Sequence, residues 1–295
     1  MRAVRVHPPG GLDGVRLERI EIPRPGEGQA LVRVHAAAIT RDELGWPVDR
    51  LPAIPSYELS GVVVDVVGGE DLVTVGDDVY GLVPFNRDGA AAEYAVVPAN
   101  ALAPKPKGLD HVEASALPLA ALSAWQGLVV HGGLQDGHRV LIHGAGGGVG
   151  HLAVQLARHR GSHVTGTASP ATAGLAHEVG THEVVDRTKD GWEESIQPVD
   201  LVFDTVGGEV LARSAGFLRD GGRVVSVAEP GGTDVVYFVV EPDRDQLMEF
   251  ARLADRGDLR PAIDSVFPLV EAREAFARSM APAKHGKVVM RVVDA

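Results

Sequence analysis

The stretch LIHGAGGGVGHLAVQLA, Leu141–Ala157, packs five glycines into seven residues between two apolar runs. Glycine loses more conformational freedom on folding than any other residue. A cluster this dense marks either a tight turn or a place where something approaches the main chain closely. The run before it, RVLIHG (Arg139–Gly144), has the length of a strand. The run after it, GVGHLAVQLARHRG, has helical period, with Leu152, Leu156 and His159 on related faces. Ala145, Gly147 and Gly150 therefore form an A-x-G-x-x-G sequence between strand and helix, the context that a dinucleotide fingerprint requires. In such a turn one position permits the bend, the middle glycine lets a pyrophosphate reach the backbone, and Gly150 lets helix pack close to strand. Gly148 and Val149 carry the chain into the helix start, whose free N–H groups and positive dipole end suit an anion. A tight turn with no ligand is the plain alternative.

The same alternation continues outward. HVTGTA (His163–Ala168), EVVDR (Glu183–Arg187), VDLVFDTVGG and GGRVVSVA read as strands, with ATAGLAHEVG and EVLARSAGFL as helices between them. Strand and helix repeated in this way predict a doubly wound parallel sheet with helices on both faces. VVYFVV (Val235–Val240) reads as a further strand at the sheet edge, and DRDQLMEFARLADRGD as a helix capped by Asp243. AIDSVFPL, the helix EAREAFARSM and the strand GKVVMRVVDA follow. Before roughly Lys107 the texture is different: valine-rich runs such as ALVRVHAAAI and SGVVVDVV lie among prolines and glycines, and APKPKGLD closes a mostly β unit.

Composition narrows the function classes. A formal net charge of −12 over 295 residues argues against a general nucleic-acid binder, which needs a basic face for phosphates. The chain has no cysteine, which excludes disulfides, iron–sulfur clusters and thiolate zinc sites. The segment Ala114–Gln135 lacks charge, but Pro118, Gln126, His131 and the Gly132-Gly133 pair interrupt it, so a buried helix and turn is expected rather than a membrane span. No apolar signal core opens the sequence, and a soluble cytoplasmic protein is the expectation.

The cofactor type turns on the end of the second strand of the parallel sheet. NAD sites usually place an acid there for the ribose 2′-hydroxyl. Here the strand ends Gly166-Thr167-Ala168-Ser169, with no acid. A carboxylate would repel a 2′-phosphate, so its absence permits NADPH. Thr167 and Ser169 offer hydroxyls, and Arg187 either supplies charge to the phosphate or is an ordinary solvated residue.

Several segments, in order, resemble the medium-chain dehydrogenase/reductase superfamily, in particular its zinc-free quinone oxidoreductase-like branch. They are PGEGQALVRVHAAAI, PAIPSYELSGVVVDVV, VGDDVYGL, AAAEYAVVPANALAPKP, ASALPLAALSAWQGL, HGAGGGVGHLAVQLA, VDLVFDTVGG, GGRVVSV and HGKVVMRV. The resemblance implies an α/β fold: a Rossmann doubly wound sheet over 113–261, and a GroES-like, mostly β domain built from both chain ends, 1–112 and 262–295. It implies hydride transfer from NADPH to a quinone or an α,β-unsaturated carbonyl without metal. Separately, the apolar VVYFVV edge segment predicts a homodimer paired at the sheet edge. Zinc-dependent relatives place a His-Glu pair where this chain has Tyr57-Glu58, and use cysteine ligands that it lacks. Thr40 stands where zinc-free relatives commonly have Asn.

At the positions where this chain departs from the family pattern, the candidate catalytic residues are Thr40 as a hydroxyl donor, Arg41, new relative to that pattern, as an electrostatic group for a developing enolate, and Tyr57 as a proton or hydrogen-bond donor. Arg41 in a surface salt bridge and Tyr57 as a packed aromatic are the alternatives. Ser123 matches a hydroxyl that contacts the nicotinamide or its ribose, Phe238 and Val240 border the nicotinamide, and Gly207 keeps its loop clear of the cofactor. Glu58 is a supporting residue, and Trp46 and Trp125 are candidates for lining the substrate site. Two competing readings are a non-enzymatic NADPH-binding protein of the crystallin type and a SAM-dependent methyltransferase. The second lacks both its usual acid and any need for the first β domain.

Overall fold

The computed structural model describes residues 1–47 and 50–293. They form two compact units. One comprises Met1–Leu119, Glu241–Pro282 and the residues from Lys287 on; the other comprises Ala120–Val240 and Ala283–Gly286.

In the first unit, β1 (Arg2–Val6) and β2 (Val15–Arg19) pair antiparallel across the short helix α1 (Gly11–Gly14). The longest strand, β3 (Gln29–Ile39), organises the main sheet. Along one edge it pairs with β4 (Glu58–Val67), which carries β5 (Asp78–Leu82) and then β7 (Leu102–Pro104) beyond it. Along the other edge the first half of β3 pairs with β6 (Tyr94–Pro98). The small residues Ala36 and Ala38 let helix α2 (His111–Ser115) pack closely, through Val112 and the following Ala116.

The second unit is an all-parallel sheet of β8 (Arg139–His143), β9 (His163–Ala168), β10 (Glu183–Asp186), β11 (Val199–Asp204), β12 (Leu218–Ser226) and β13 (Val235–Tyr237), in the order β10-β9-β8-β11-β12-β13. All six residues of β11 are buried, as expected for a strand covered on both faces. Its helices are α3 (Pro118–Trp125), running on into a π-helical turn over Gln126–His131, then α4 (Gly150–His159), α5 (Pro170–Glu178) and α6 (Gly208–Arg213). The charge-free segment is thus two short helices and a turn, and no helix among the described residues is long and apolar enough to cross a membrane. The edge strand is shorter than VVYFVV suggested: only Val235–Tyr237 pair with β12, and Phe238 and Val240 turn inward and are buried.

The remaining elements return to the first unit. Helix α7 (Arg244–Arg256) starts at the Asp243 cap, whose carboxylate accepts from the Gln246 N–H at 2.9 Å, and ends at Gly257 in the left-handed region. The domain boundary expected after 261 falls beyond this helix. The Tyr80 hydroxyl donates to the Leu247 carbonyl, the Gly108 N–H to Asp255, and Arg244 to the carbonyls of Leu72 and Leu102, so α7 groups with the β sheet. Strand β14 (Ile263–Pro268), helix α8 (Ala272–Met280) and β15 (Lys287–Arg291) follow, and β15 pairs antiparallel with the second half of β3. Fold class is as the sequence implied: a Rossmann-like parallel sheet and a mostly antiparallel β unit built from distant parts of the chain.

Two histidines, His111 half-buried and His143 fully buried, make this fold acid-sensitive. His111 packs at a tilt against His35, ring centroids 4.3 Å apart, and shares a 2.8 Å hydrogen bond with the Ser60 hydroxyl. Burial first, and then the neighbouring His35, hold its pKa down to about 4. Burial holds His143 in the second unit at about 3. Unfolded histidine titrates near ~6.5, so below that pH the unfolded chain binds protons the native state refuses. The stability these groups contribute is present above about pH 6.5 and is lost as pH falls toward 4. Melting temperature should therefore drop between about pH 6.5 and 4.5, and His111→Gln should lose less over the same descent. Parallel melting curves for the two proteins check this.

Candidate active site

The glycine cluster sits after β8 at the switch point of the 3-2-1-4-5-6 strand order, where ligands of such sheets bind beyond the strand ends. Its glycines divide by cause. The bend is made by Gly144, whose φ is +78°, one residue before the fingerprint begins. Ala145 can therefore occupy the first fingerprint position: it is buried, and its N–H bonds the Thr167 carbonyl at 2.9 Å. A Cβ on Gly146 would strike the Thr172 carbonyl at the start of α5, and one on Gly150 would strike the Gly144 carbonyl. Packing demands both. A Cβ on Gly147 would meet only the Gly144 carbonyl, at 3.0 Å. Among the described residues the N–H groups of Gly148, Val149 and Gly150 have no backbone partner in the turn. Gly147 to Gly150 are thus an open main-chain cradle at a helix mouth, and they fit the diphosphate of a dinucleotide.

Other candidates surround this turn in different ways. Thr167 is fully buried, and its hydroxyl lies 3.1 Å from His143 Nδ1 and 3.3 Å from the Gly144 N–H, so it braces the turn. Ser169 caps α5, with its hydroxyl 3.2 Å from that of Thr172. Arg187 follows β10, is exposed, and its guanidinium makes no hydrogen bond or ion pair among the described residues. Gly207, at φ +77°, donates its N–H to both oxygens of the buried Asp204, which fixes the loop after β11. Burial pushes the Asp204 carboxyl above the usual range. Ser123 is buried in α3, Phe238 packs at a tilt against His131 at 4.4 Å, and Val240 is buried beyond it.

The first unit holds a second cluster, and the strand order β15-β3-β4 assembles it. Register sets Ala38 of β3 against Glu58 and Ile39 against Val288, so the next residue, Thr40, emerges between Glu58 and Lys287. The Lys287 ammonium is ion-paired to Glu58, and both side chains are within 3% of fully buried. The Thr40 hydroxyl lies 3.5 Å from Lys287 Nζ and 3.4 Å from Glu58 Oε1, and the other Glu58 oxygen accepts from the Leu119 N–H at 2.9 Å. The chain then turns through a short 3₁₀ segment, Glu43–Gly45. Thr40-x-x-Glu43 is the pattern of a capping box, but only half of the box forms: Glu43 accepts from the Thr40 N–H at 3.0 Å. The Thr40 hydroxyl is left to Glu58 and Lys287.

Beside this cluster lies a cavity of about 600 Å³ lined by Glu43, Trp46, Tyr57 and largely apolar neighbours including Leu44, Ile54 and Met280. Trp46 stacks on Tyr57 at 6.0 Å, and Phe85 meets both rings edge-on at 5.3 and 5.0 Å. Arg41 does not join them. Half exposed, it donates to the Met280 carbonyl at 3.1 Å and lies 4.0 Å from Asp42. Trp125 lies in the second unit, under the Arg160 guanidinium at 5.8 Å. The residues missed from sequence are Lys287 and Glu43. The signal for Lys287 was a lysine opening an otherwise apolar strand, which must find an acid if the strand is buried.

Known proteins resemble the chain along its length. The family model described as "Alcohol dehydrogenase GroES-like domain" matches residues 26–107, and "Zinc-binding dehydrogenase" matches 179–290. An NADPH-dependent alkenal/one oxidoreductase of the chloroplast of Arabidopsis thaliana is 33% identical over 95% of this chain and 77% of its own. A probable zinc-binding oxidoreductase of Arthroderma benhamiae mitochondria is 32% identical over 92% and 90%. The structure of a quinone oxidoreductase from Coxiella burnetii superposes with a TM-score of 0.90 at 28% identity, covering 99% of each chain. The zinc in two of these descriptions does not fit the donors found here. Among the described residues no three His, Cys, Asp or Glu side chains are grouped to hold a metal, and the buried cation beside Thr40 and Glu58 is Lys287.

Removing one partner of the buried pair should be far costlier than removing both. Lys287→Ala is expected to destabilise the first unit by about 3–5 kcal/mol, since it leaves Glu58 buried and unpaired. The double variant Lys287→Met with Glu58→Leu should recover most of that loss, as read from denaturant unfolding.

Proposed function

Because the chain belongs to the medium-chain dehydrogenase/reductase superfamily, oxidoreductases served by nicotinamide cofactors, we propose that it reduces quinones or α,β-unsaturated carbonyls at the expense of NADPH. The observation that carries this reading is the open Gly147–Gly150 cradle at the switch point of the parallel sheet. The substrate class rests on likeness to the alkenal/one and quinone oxidoreductases.

A bound nicotinamide supplies the hydride. The protein's part is to bind, orient and stabilise charge. The N–H groups of Gly148, Val149 and Gly150 hold the diphosphate, and the unengaged Arg187 pairs with the 2′-phosphate. Ser123, Gly207, Phe238 and Val240 shape the nicotinamide end. The Thr40 hydroxyl, whose single proton rests on Glu58 in the free protein, turns that proton to the substrate carbonyl oxygen as negative charge grows there. Accepting from the buried Lys287 ammonium polarises that hydroxyl and makes it a better donor than a solvated threonine. Tyr57, in the wall of the cavity, delivers the proton that completes reduction of the alkene or the quinone. The flat aromatic wall of Trp46 and Tyr57 suits a flat conjugated substrate.

The β13 edge carries Val236 and Tyr237, exposed by 40% and 42%, and Val239 just beyond it is exposed by 59%. An unpaired apolar edge of this kind pairs with a second copy, giving a homodimer.

Enones and quinones should each consume NADPH, followed by loss of reduced-nicotinamide absorbance. NADPH binding with no oxidation above background across such a panel overturns the reading. Arg187→Ala should weaken NADPH binding by about tenfold and leave NADH nearly unchanged. Light scattering at micromolar concentration should give twice the chain mass.

A further inference from the structure

Ser56 is the one non-glycine residue with positive φ, at 63°, among the described residues. A side chain in that region is strained unless its surroundings hold it there, and such strain tends to be stored where a site is shaped. What holds Ser56 is Glu43. One Glu43 oxygen accepts from both the Ser56 N–H, at 3.0 Å, and the Ser56 hydroxyl, at 3.2 Å, while the other accepts from the Thr40 N–H. Glu43 is 5% exposed and is itself part of the cavity wall. The residue after Ser56 is Tyr57, and the residue that Glu43 grips on its other side is Thr40. We propose that Glu43 is a positioning residue for the reaction: its carboxylate latches Ser56 in the left-handed conformation and thereby sets Tyr57 in the cavity wall, while its other oxygen holds the Thr40 backbone beside it.

The alternative support for the 55–57 segment comes from behind. Ala90 and Ala91 donate to the carbonyls of Ser56 and Pro55, and Val83 donates to that of Tyr57 at 2.7 Å. Those bonds fix carbonyls only. The Ser56 N–H and hydroxyl, on which its φ depends, have Glu43 as their partner. The latch is also sensitive to protonation. Burial drives the Glu43 carboxyl up to about 7; the hydrogen bonds from Thr40 and Ser56 and the Lys287 charge oppose this, while the Glu58 charge adds to it. On its own segment Asp42 and Arg41 point to the surface. Below about pH 7 a protonated oxygen faces N–H donors with one acceptor fewer, and the latch loosens.

The kinetic test rests on the enone-reductase reading; a spectroscopic one does not. Glu43→Gln keeps the shape but puts an amide where N–H donors converge. The Michaelis constant for the enone should rise about tenfold or more, with that for NADPH unchanged. The near-ultraviolet circular dichroism of the Trp46–Tyr57 stack, defined as the difference from Trp46→Phe, should shrink in parallel. Adding Ser56→Gly to Glu43→Gln should restore both, because glycine adopts this φ without a latch. In the wild type the enone Michaelis constant should climb as pH falls through about 7, and Ser56→Gly should flatten that climb; these two proteins decide the matter if Glu43→Gln does not fold. A lowered melting temperature with Michaelis constant and dichroism unmoved overturns the proposal, as does failure of Ser56→Gly to rescue. If the wild type reduces no enone, the functional reading fails and the dichroism arm alone decides the latch.

Discussion

The Glu58–Lys287 ion pair is the interaction on which the β unit turns. Two charges taken out of water are costly, and their mutual attraction offsets that cost only when geometry and further hydrogen bonds are right. Here Glu58 also accepts from the Leu119 N–H, and Lys287 reaches the Thr40 hydroxyl. A one-residue slip of β15 along β3 would carry the lysine to the opposite face and leave the acid buried alone. The pair therefore fixes register as much as it contributes stability. Because Thr40 emerges between the two charges, the same constraint that aligns the strands also aims a hydroxyl.

The site is thus assembled from two kinds of economy with backbone. In the parallel sheet, glycines at 144, 146 and 150 answer to turn geometry and packing, which leaves the N–H groups of 148 to 150 free for a ligand. In the β unit a capping motif is left half made, so that Thr40 keeps its hydroxyl while Glu43 is passed on to Ser56. Both depend on short segments just past strand ends, where a rigid sheet holds a loop that must carry chemistry.

Much of this was legible beforehand, for identifiable reasons. Parallel strands covered on both faces appear as short apolar runs, so the VLI of β8 and the LVF of β11 stood out, and Asp243 announced α7 as its cap. What α7 packs against was not legible, because an amphipathic pattern shows that a helix has a buried face and not what lies under it. Glu43 sits in Thr40-Arg41-Asp42-Glu43, a charged run that looks solvated; only the 3₁₀ turn reveals that its last member folds inward while Arg41 stays outside. Gly144 was hidden for a different reason. The fingerprint is counted from Ala145, and the residue that bends the chain stands one place before it.

The pairing of β15 with β3 also has a consequence in time. On a ribosome the chain emerges from its N-terminus, and segments tend to settle as soon as their contacts exist. The parallel sheet is drawn almost wholly from one continuous stretch, Ala120–Val240, and can close while translation continues. The antiparallel sheet cannot: Glu58 waits without its cation, and half of one edge of β3 without its neighbour, until Lys287–Arg291 has been made. Nascent chains should therefore carry a finished parallel half and an open antiparallel one exposed to chaperones, and a chain cut short of Lys287 would leave Glu58 stranded.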